Sequence, residues 1–519
     1  MFLKESTMEV SIFTALALSS LLLIVSFIAM KVYNCLWWKP KMLEKQLKQQ
    51  GIGGTSYKFL HGDRLLMLEL IKEAWSKPMS LNHSIVPRVN PFYNQLVQKY
   101  GKVCVSYIGT RPSLMIGKAE LMKQILNDKN GHFHKPPQNP LVDLLTQGLT
   151  TLDGGKWAKR RRLIAPAFLH QKLQGMVPEF AASCCNLIDR WKKLISLEGQ
   201  SEIDIHPELH SLSADVITRT GFGSSYKEGK KIFELQKEQA VLAIQAFESL
   251  YLPGLRFLPT KKNRRRYEVD SEIKAMFRDI ISKKQRAMQE GKSGSGDLLG
   301  LLLQCKEEKG NDMTIEDVIE ECKLFYFAGQ ETTANWLTWT LILLSMHPDW
   351  QDKARQEVVQ ICGKTAPNVE ILSRLKIVTM VLYEVLRLYP PVVEMLRYSV
   401  QTTKVGDITI PPGIEIVLPT LMLHHDSEYW GDDADEFNPE RFAEGVSKAS
   451  KDQLLAFYPF GWGPRICLGQ SFAIIEAKLA LAMILQHFSF NLSPSYTHAP
   501  HTILTLQPQL GAPIILQPI

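Results

Sequence analysis

The sequence lacks the signatures of several functional classes. Its eight cysteines are scattered, with no C-x-x-C pair and no cysteine–histidine spacing of a zinc site. No G-x-G-x-x-G stretch follows a predicted strand, so the chain carries no dinucleotide site of that kind. The net charge of +7 over 519 residues is too small to indicate nucleic-acid binding. Scattered thiols and a mild positive charge instead fit a cytosol-facing protein with an acidic partner or an anionic membrane surface.

Long hydrophobic runs are also absent, except near the start of the chain. Residues 10–30 form a run of 21 residues without a charge, and as a helix they would span about 31 Å, enough for a bilayer core. Trp37 and Trp38 follow at the position of an interfacial aromatic belt, and lysines dominate the segment from Lys31 to Lys48. A cleaved signal peptide is the alternative, but the run is long and no small-residue cleavage site follows it.

The lysine bias after the run predicts which side of a membrane the rest of the chain occupies. Positive charge favours the cytosolic side. We therefore expect a lumenal N-terminus over residues 1–9, a transmembrane anchor over residues 10–30, a basic and glycine-containing linker over residues 31–62, and a large globular domain over residues 63–519 in the cytosol.

The globular part is predicted to be mostly helical with small sheets. Amphipathic patterns predict helices over most of residues 171–290 and over 470–488. A longer helix begins after Thr314, with Asp317 three residues later as a capping-box signal, and runs to Met346. Short β-branched runs predict strands at residues 103–108, 113–116, 408–410 and 414–418, and a closing hairpin of 503–507 with 514–517.

One motif near the C-terminal end suits a thiolate metal ligand. From Phe460 to Gly469 the chain reads F-x-x-G-x-R-x-C-x-G, with Arg465 before Cys467. Glycines keep bulk away from a flat cofactor and permit positive φ, and turning backbone N–H groups can bond the sulfur. The helix over residues 470–488 begins directly after the loop, and its N-terminus would lower the pKa of the thiol. The alternative is a structural cysteine in a glycine-rich turn.

A second motif interrupts the long helix, at Ala328-Gly329-Gln330-Glu331-Thr332-Thr333. A glycine inside a helix costs about 1 kcal/mol relative to alanine, and an acid with two hydroxyls is unexpected in so apolar a helix. One interpretation is a bend with solvated polar groups. The other is a small-residue notch beside a metal, with a carboxylate–alcohol pair that relays protons.

Two spaced pairs complete the set. Trp157 and Arg161 lie four residues apart, on one helix face, where an indole N–H and a guanidinium suit a carboxylate ligand; ordinary cation–π packing is the alternative. Glu384 and Arg387 lie three residues apart between apolar neighbours, which predicts a buried ion pair rather than a surface pair.

These motifs, in this order and with P-E-R-F at residues 439–442, resemble the cytochrome P-450 superfamily. At finer grain, residues 37–40, 323–327 and 492–500 are most similar to the plant secologanin-synthase family and its clan. The resemblance implies a mainly α fold with small β-sheets (α+β), preceded by one transmembrane helix, and it makes residues 63–519 a heme-thiolate monooxygenase domain.

The resemblance also implies roles for residues. Cys467 would be the axial ligand of heme b, and Glu331 and Thr332 would handle protons beside dioxygen. Trp157, Arg161, Arg397 and Arg465 would bind the heme propionates. Ala328 and Gly329 would line the oxygen groove, and Phe460 and Gly469 would frame the cysteine loop. Glu384, Arg387 and Arg441 would form a structural triad.

The implied function is NADPH- and O2-dependent monooxygenation of a lipophilic small molecule, such as a terpenoid, at the endoplasmic reticulum membrane. Electrons would come from an NADPH-cytochrome P-450 reductase, which Lys159, Arg160 and Arg162 could face. Two alternatives remain: a heme-thiolate isomerase or dehydratase that needs no electrons, and a non-catalytic heme-binding membrane protein. Apolar segments are expected to form the substrate walls, at residues 131–150, 324–328, 392–396 and 503–506.

Overall fold

The structure is a computed structural model that describes residues 2–195, 199–224, 226–248, 254–291, 296–307, 313–451 and 456–519. Helices dominate it. The first ones precede the large helical bundle: α1 (Phe2–Tyr33), α2 (Lys39–Lys48), α3 (Arg64–Trp75), α4 (Val86–Val89), α5 (Pro91–Tyr100), α6 (Ala119–Leu126) and α7 (Gly154–Ile164). The bundle follows: α8 (His170–Leu194), α9 (Ile205–Phe222), α10 (Tyr226–Glu248), α11 (Lys261–Gln289), α12 (Leu298–Glu307) and α13 (Ile315–Met346).

Shorter helices and a long terminal one complete the helical part: α14 (Pro348–Cys362), α15 (Val369–Arg374), α16 (Lys376–Leu388), α17 (Thr420–His424), α18 (Ser427–Trp430) and α19 (Gln470–His487). The strands are short: β1 (Val103–Ile108), β2 (Arg111–Ile116), β3 (Phe133–His134), β4 (Ser201–Asp204), β5 (Met395–Ser399), β6 (Thr403–Val405), β7 (Ile408–Ile410), β8 (Glu415–Leu418), β9 (Phe488–Leu492), β10 (Pro500–Ile503), β11 (Thr505–Pro508) and β12 (Pro513–Pro518).

The strands form small separate sheets. The largest has the order β1-β2-β8-β5-β3, with β2 and β8 parallel and its other pairs antiparallel. A second sheet has the order β4-β12-β9, and β6 with β7 and β10 with β11 form two-stranded units. The predicted mainly α architecture with small sheets is therefore confirmed.

Helix α13 lies at the centre of the bundle. It begins at a capping box, in which the Asp317 N–H donates to Thr314 Oγ1 at 3.1 Å and the Thr314 N–H donates to Asp317 Oδ2 at 2.8 Å. From Thr333 to Leu344 every side chain is buried, and the helix packs against α9, α16 and α19. A helix that is apolar on all sides must be covered on all sides, which explains its central position.

The segment predicted as a linker contains a packed helix instead. Helix α2 buries Leu43 and Leu47, which are four residues apart and so share one helix face. Beyond it, Gln50 exchanges hydrogen bonds of 2.9 and 2.7 Å with the backbone of Thr409 in β7. The lysines of this segment suggested a solvated linker, but they occupy only the outer face of the helix.

The C-terminal strands also pair differently from the prediction. Strand β11 pairs with β10 in a tight hairpin, whose turn residue Leu504 has a φ of +66°. Strand β12 instead lies between β9 and β4. The predicted hairpin of residues 503–507 with 514–517 is therefore wrong, because alternation alone does not identify the partner of a strand.

The N-terminal helix stands apart from the bundle. In the described part of the chain one helix is long and apolar enough to cross a membrane, Leu16–Lys48, and its most apolar window has a mean hydropathy of 2.1 with no part of it buried. A short π-helix, Asn34–Trp38, joins α1 to α2. The helical path therefore continues from the apolar segment into the globular part.

Candidate functional site

The loop that carries Cys467 is shaped by two glycines. Gly461 and Gly463 have φ values of +73° and +69°, in the left-handed region that favours glycine. A Cβ on Gly463 would lie 2.3 Å from the backbone oxygen of Leu126, so no side chain fits there. The Cys467 N–H donates to the Phe460 carbonyl oxygen at 2.9 Å and closes the loop. This geometry presents Cys467 directly before α19.

The sulfur of Cys467 faces a space that the protein encloses. Its side chain is exposed, yet the surrounding protein is dense enough that burial raises the pKa of the thiol. The Gly469 N–H, which bonds the sulfur, and the Arg161 charge both lower this pKa, but by less than burial raises it. The predicted lowering of the thiol pKa is therefore present, but in the protein alone the effect of burial is larger. A metal cation on the sulfur would reverse the balance, since a coordinating thiol is deprotonated.

Two guanidinium groups lie over the indole ring of Trp157 on α7, one from Arg161 of the same helix and one from Arg465 of the cysteine loop. The Arg161 guanidinium lies 5.8 Å from the Trp157 ring centroid, and that of Arg465 lies 4.5 Å from it. Arg161 Nη2 donates to the carbonyl oxygen of Ile466 at 2.7 Å, which places this arginine beside the cysteine loop. The i, i+4 pair therefore shares a helix face, makes the cation–π contact that was the alternative interpretation, and lies next to the cysteine loop.

Further positive charge lies close by. Arg397, which is buried, has a pKa lowered to about 10 by burial and by Arg465. Lys135 has a pKa lowered to about 7, first by burial and then by Arg397 and Arg465. We call Lys135, Arg161, Arg397 and Arg465 the cationic cluster. The Asp153 carboxylate, which bonds the Arg465 guanidinium and accepts from the Lys135 N–H at 3.2 Å, is the acidic group that faces this cluster in the described structure.

The cationic cluster fits a group with two carboxylates. Three of the four basic side chains, Lys135, Arg397 and Arg465, interact with the single carboxylate of Asp153. Burial of uncompensated cations is unfavourable unless an anion joins them. Guanidinium groups bind carboxylates through paired, charge-assisted hydrogen bonds. The two propionates of a heme would carry the matching charge, and Cys467 lies beside Arg161.

The polar motif of α13 is partly exposed, as are Phe325 and both ends of the helix. Residues 327–332 are half-buried, in contrast to the fully buried turns that follow. The Thr332 hydroxyl donates to the Ala328 carbonyl oxygen at 2.7 Å, a back-bond that often bends a helix. The Glu331 carboxylate points elsewhere, accepting from the Thr505 hydroxyl at 2.7 Å and from Asn335 Nδ2 at 3.3 Å. Glu331 and Thr332 are therefore neighbours in the chain without a direct hydrogen bond.

The glycine of this motif is explained by helix packing. A Cβ on Gly329 would lie 2.9 Å from Cγ1 of Ile217 on α9. The missing side chain thus allows α9 and α13 to approach closely, rather than opening a notch toward a cofactor. Ala328 lies on a neighbouring face and belongs to the half-buried segment.

The segments expected to form substrate walls meet each other around the site. The Leu506 N–H donates to the Pro391 carbonyl oxygen at 2.9 Å, and the Met395 sulfur lies against Gly461 of the cysteine loop. Phe327 of α13 packs in a cluster of Val142 and Leu145 with two alanines of α10, Ala240 and Ala243. The glycine- and proline-rich stretch of residues 131–155 suggested a long surface loop, but Leu141, Leu145 and Leu149 within it are buried.

The Glu384–Arg387 pair is fully buried. Arg387 Nε and Nη2 donate to the two Glu384 oxygens at 2.7 and 2.6 Å, and the remaining donors bind backbone oxygens of His424, Ala434 and Glu436. Arg441 Nε lies 3.5 Å from Glu384, and the Arg441 Nη2 donates to the Asp433 carboxylate at 2.6 Å. The expected triad is thus a tight pair with a more distant third member.

Sequence reasoning missed some site residues and misplaced another. Lys135 and Asp153 stand in a stretch without periodicity, and no motif marks them. Arg160 was expected to face a partner protein, but its guanidinium pairs with Asp317 at 3.1 Å and with Glu321 at 2.8 Å. Arg160 therefore links α7 to α13 inside the protein. Adjacent residues of a helix point in different directions, so Arg160 faces α13 while Arg161 faces the cysteine loop.

A cysteine presented by a glycine-shaped loop, with the cationic cluster beside it, fits a thiolate-bound heme. The family model described as Cytochrome P450 matches residues 80–513, and the chain belongs to the cytochrome P450 family. Heme iron and dioxygen chemistry follow from this membership. The predictions of family and fold are confirmed.

Similar proteins extend along nearly the whole chain. Cytochrome P450 CYP72A616 of Paris polyphylla is 53% identical over 489 residues, covering 93% of this chain and 94% of that protein. Secologanin synthase 2 of Catharanthus roseus is 48% identical over 500 residues, covering 94% of both chains. The solved structure of retinoic acid bound cyanobacterial CYP120A1 has a TM-score of 0.74 at 23% identity, with 90% of this chain and 99% of that chain covered, and supports the fold alone.

Proposed function

We propose that this protein is a membrane-anchored monooxygenase that oxidises a lipophilic small molecule with O2 and with electrons passed from NADPH by a separate reductase. One observation carries the proposal: the Cys467 sulfur and the half-buried polar segment of α13 border the interior of the protein, with the cationic cluster beside the sulfur. A thiolate-held heme supplies, when bound, dioxygen activation and insertion of one oxygen atom into a C–H bond.

The residues around the sulfur would hold and orient the heme. Cys467 would be the iron ligand, and the Gly469 N–H bond to its sulfur keeps that sulfur pointing away from the loop. Arg161, Arg397 and Arg465 would bind the propionates, with Lys135 as a further cation. The pKa of Lys135, lowered to about 7 in the protein alone, would rise beside a carboxylate because an opposite charge favours the protonated amine.

The polar residues of α13 would manage protons on the oxygen side. Burial raises the pKa of Glu331, so this carboxyl holds a proton at a higher pH than an exposed glutamate does. The Thr332 hydroxyl can leave the Ala328 carbonyl oxygen by rotation about χ1 and donate into the enclosed space. Glu331 would then act as the proton source and Thr332 as the donor nearest the reacting oxygen.

The substrate is proposed to be lipophilic, and a terpenoid is our specific proposal. The wall segments are mainly apolar, and Val392 and Leu504 within them have exposed side chains. Relatives named secologanin synthases at 47–48% identity support a plant terpenoid-type substrate. Most of the recognition would be by shape, since apolar contacts are not directional.

The electron donor is proposed to be an NADPH-cytochrome P450 reductase bound near α7. Lys159 and Arg162 are exposed on this helix, whereas Arg160 is engaged internally and is withdrawn from the proposed surface. An acidic partner would be attracted to the exposed residues by long-range electrostatics.

The location is proposed to be the endoplasmic reticulum membrane, with residues 63–519 on the cytosolic side and residues 10–30 as the anchor. Support comes from the apolar side chains that α1 exposes from Leu16 to Met30, and from the lysines that follow.

Two measurements on microsomes containing the protein and a reductase test the proposal. Wild-type protein should give the thiolate-type carbon-monoxide difference band and should consume NADPH when a lipophilic substrate is added. Cys467→Ala should lose the band, and Thr332→Ala should keep it while releasing most reducing equivalents without product. NADPH-independent conversion by wild type would instead identify an isomerase or dehydratase, and an unchanged band in Cys467→Ala would refute the ligand assignment.

A further inference from the structure

Behind α13, on the side of α9, lies a polar cluster that the proposed function has not used. His206 and His210 stand one turn apart on α9, with their Nε2 atoms 3.1 Å apart. His206 Nε2 lies 3.2 Å from Asn335 Oδ1, and His210 Nδ1 lies 3.1 Å from Gln330 Nε2. Asn335 and Gln330 belong to α13, so the two histidines bridge the two helices.

This cluster ends at Glu331. His210 Nδ1 lies 3.8 Å from Glu331 Oε2, and Asn335 Nδ2 donates to the other carboxylate oxygen at 3.3 Å. One bridging water or a small ring rotation closes a distance of that size. The carboxyl that would supply protons to the oxygen side is therefore contacted from α9 through His210.

The ring nitrogens are arranged in series, with one gap of 3.8 Å between His210 Nδ1 and Glu331 Oε2. His206 meets His210 through Nε2, and His210 meets Glu331 through the opposite nitrogen, Nδ1. An imidazole can accept a proton on one ring nitrogen and release another from the second. His206 is half-buried and follows the exposed Asp204, the N-cap of α9, so the outer end of the path lies near the surface.

The charges around the path keep both rings neutral near pH 7. Burial lowers the pKa of His206 and of His210 to about 4, and each has further neighbours. Asp204 raises the pKa of His206, and the Lys237 charge on α10 lowers that of His210. His501 of β10 also senses the charge of His206. Neutral rings are both donors and acceptors, as a relay requires.

We propose that His206 and His210 carry protons from the protein surface to the Glu331 carboxyl. The inference rests on the proposed function for the use of these protons, but the transfer itself is a property of the protein. The competing explanation is that the histidines only tie α9 to α13. A matched pair elsewhere separates the two explanations, because His83 and His347 also meet through Nε2 atoms, at 2.9 Å, at the C-terminal end of α13, about four helical turns from Glu331.

The first test measures proton arrival without catalysis. In a rapid pH jump, the infrared C=O band lost in Glu331→Gln reports protonation of that carboxyl. We expect the band to respond about tenfold more slowly in His210→Gln and in His206→Gln than in wild type, because general acid–base relays contribute at least that much. His347→Gln should respond at the wild-type rate. Equal rates in His210→Gln and wild type would refute the relay.

The second test uses turnover. Each single variant should keep the carbon-monoxide band and lose about tenfold in product formed per NADPH, with a larger solvent isotope effect. The double variant His206→Gln/His210→Gln should lose no more than either single variant, since both act in one series. Multiplicative losses would indicate independent packing effects and overturn the proposal.

The outcomes separate this inference from the proposed function. If no NADPH-dependent product forms but proton arrival at Glu331 still depends on the histidines, the relay is supported and the monooxygenase assignment is refuted. If His210→Gln does not bind heme, His206→Gln, farther from Glu331, supplies the same comparison. Normal coupling in both single variants, with normal infrared rates, would leave the histidines a packing role only.

Discussion

Two arginine sites in this protein handle buried positive charge in opposite ways. At Arg387 the chain itself supplies every partner: the two Glu384 oxygens and three backbone carbonyl groups, at 2.6–2.9 Å. At Arg397 the charged neighbours include Arg465 and Lys135, and burial together with the Arg465 charge lowers its pKa to about 10. The first site is complete without a ligand, whereas the second favours binding of an anion. Burial of an arginine alone therefore does not identify its role; the balance of charge around it does.

The largest effect is expected when the Glu384–Arg387 pair is broken. Arg387→Ala leaves the Glu384 carboxylate buried without its partner, which costs about 3–5 kcal/mol. We expect little folded protein, measured as soluble yield and as the thermal unfolding midpoint. Glu384→Gln/Arg387→Met should recover part of the loss, since it removes both charges. A single variant as stable as wild type would contradict the buried pair.

A buried carboxyl group without a basic partner shows a third way to accommodate a buried ionisable group, which is to keep it protonated and neutral. Glu476 on α19 is fully buried, and burial raises its pKa to about 8 from the usual 4.5. Between these values the folded protein keeps a proton that the unfolded chain loses, so stability falls as pH rises, by at most about 5 kcal/mol. Glu476→Gln should remove this fall, and unfolding midpoints at pH 5 and pH 8 measure it. An equal slope in the variant would show that Glu476 is ionised or solvated.

The next effect concerns the anion-binding site. Arg397→Ala and Arg465→Ala each remove a charge-assisted contact worth about 1.5–3 kcal/mol, so heme should leave at least tenfold faster. Transfer of heme to excess apomyoglobin measures the rate. Arg162→Ala, an exposed position on α7, is the control and should match wild type. The thermal unfolding midpoint should change far less in these two variants than in Arg387→Ala. A larger change in them than in Arg387→Ala would contradict the proposed difference between the two arginine sites.

The smallest effect is a pH dependence of heme affinity from Lys135. Its pKa in the protein alone is about 7, and a bound carboxylate would raise it. Between pH 7 and the higher value the bound form holds the extra proton, so affinity should fall as pH rises, by up to about tenfold per unit. Lys135→Met should abolish this slope in titrations from pH 7 to 9, and Lys156→Met, at an exposed position of α7, should keep it.

The sequence was most informative where chemistry depends on local spacing. The capping box of Thr314 and Asp317, the loop glycines around Cys467 and the i, i+3 pair of Glu384 and Arg387 are all local patterns. Each is set by helix or turn geometry within a few residues, so the pattern carries the structure.

It was least informative where distant segments meet. Lys135 and Arg397 are 262 positions apart in numbering, and only the packing of β3 against β5 brings them together. His206 and Glu331 meet because α9 packs on α13. Gly329 looked like part of a cofactor groove until Ile217 of α9 explained it. No single-sequence pattern encodes such approaches, because they depend on tertiary packing.

The junction between the apolar N-terminal helix and the globular part has a mechanical consequence. The π-helix Asn34–Trp38 passes into α2 without a break, the Tyr57 hydroxyl donates to the Leu36 carbonyl oxygen at 2.5 Å, and Leu47 is fully buried. An anchor joined in this way acts as a stiff shaft rather than a tether. The tilt of the proposed anchor in a bilayer would then set the orientation of the whole protein relative to the membrane. Because tilt depends on bilayer thickness, the thickness would determine which face of the protein contacts the lipid.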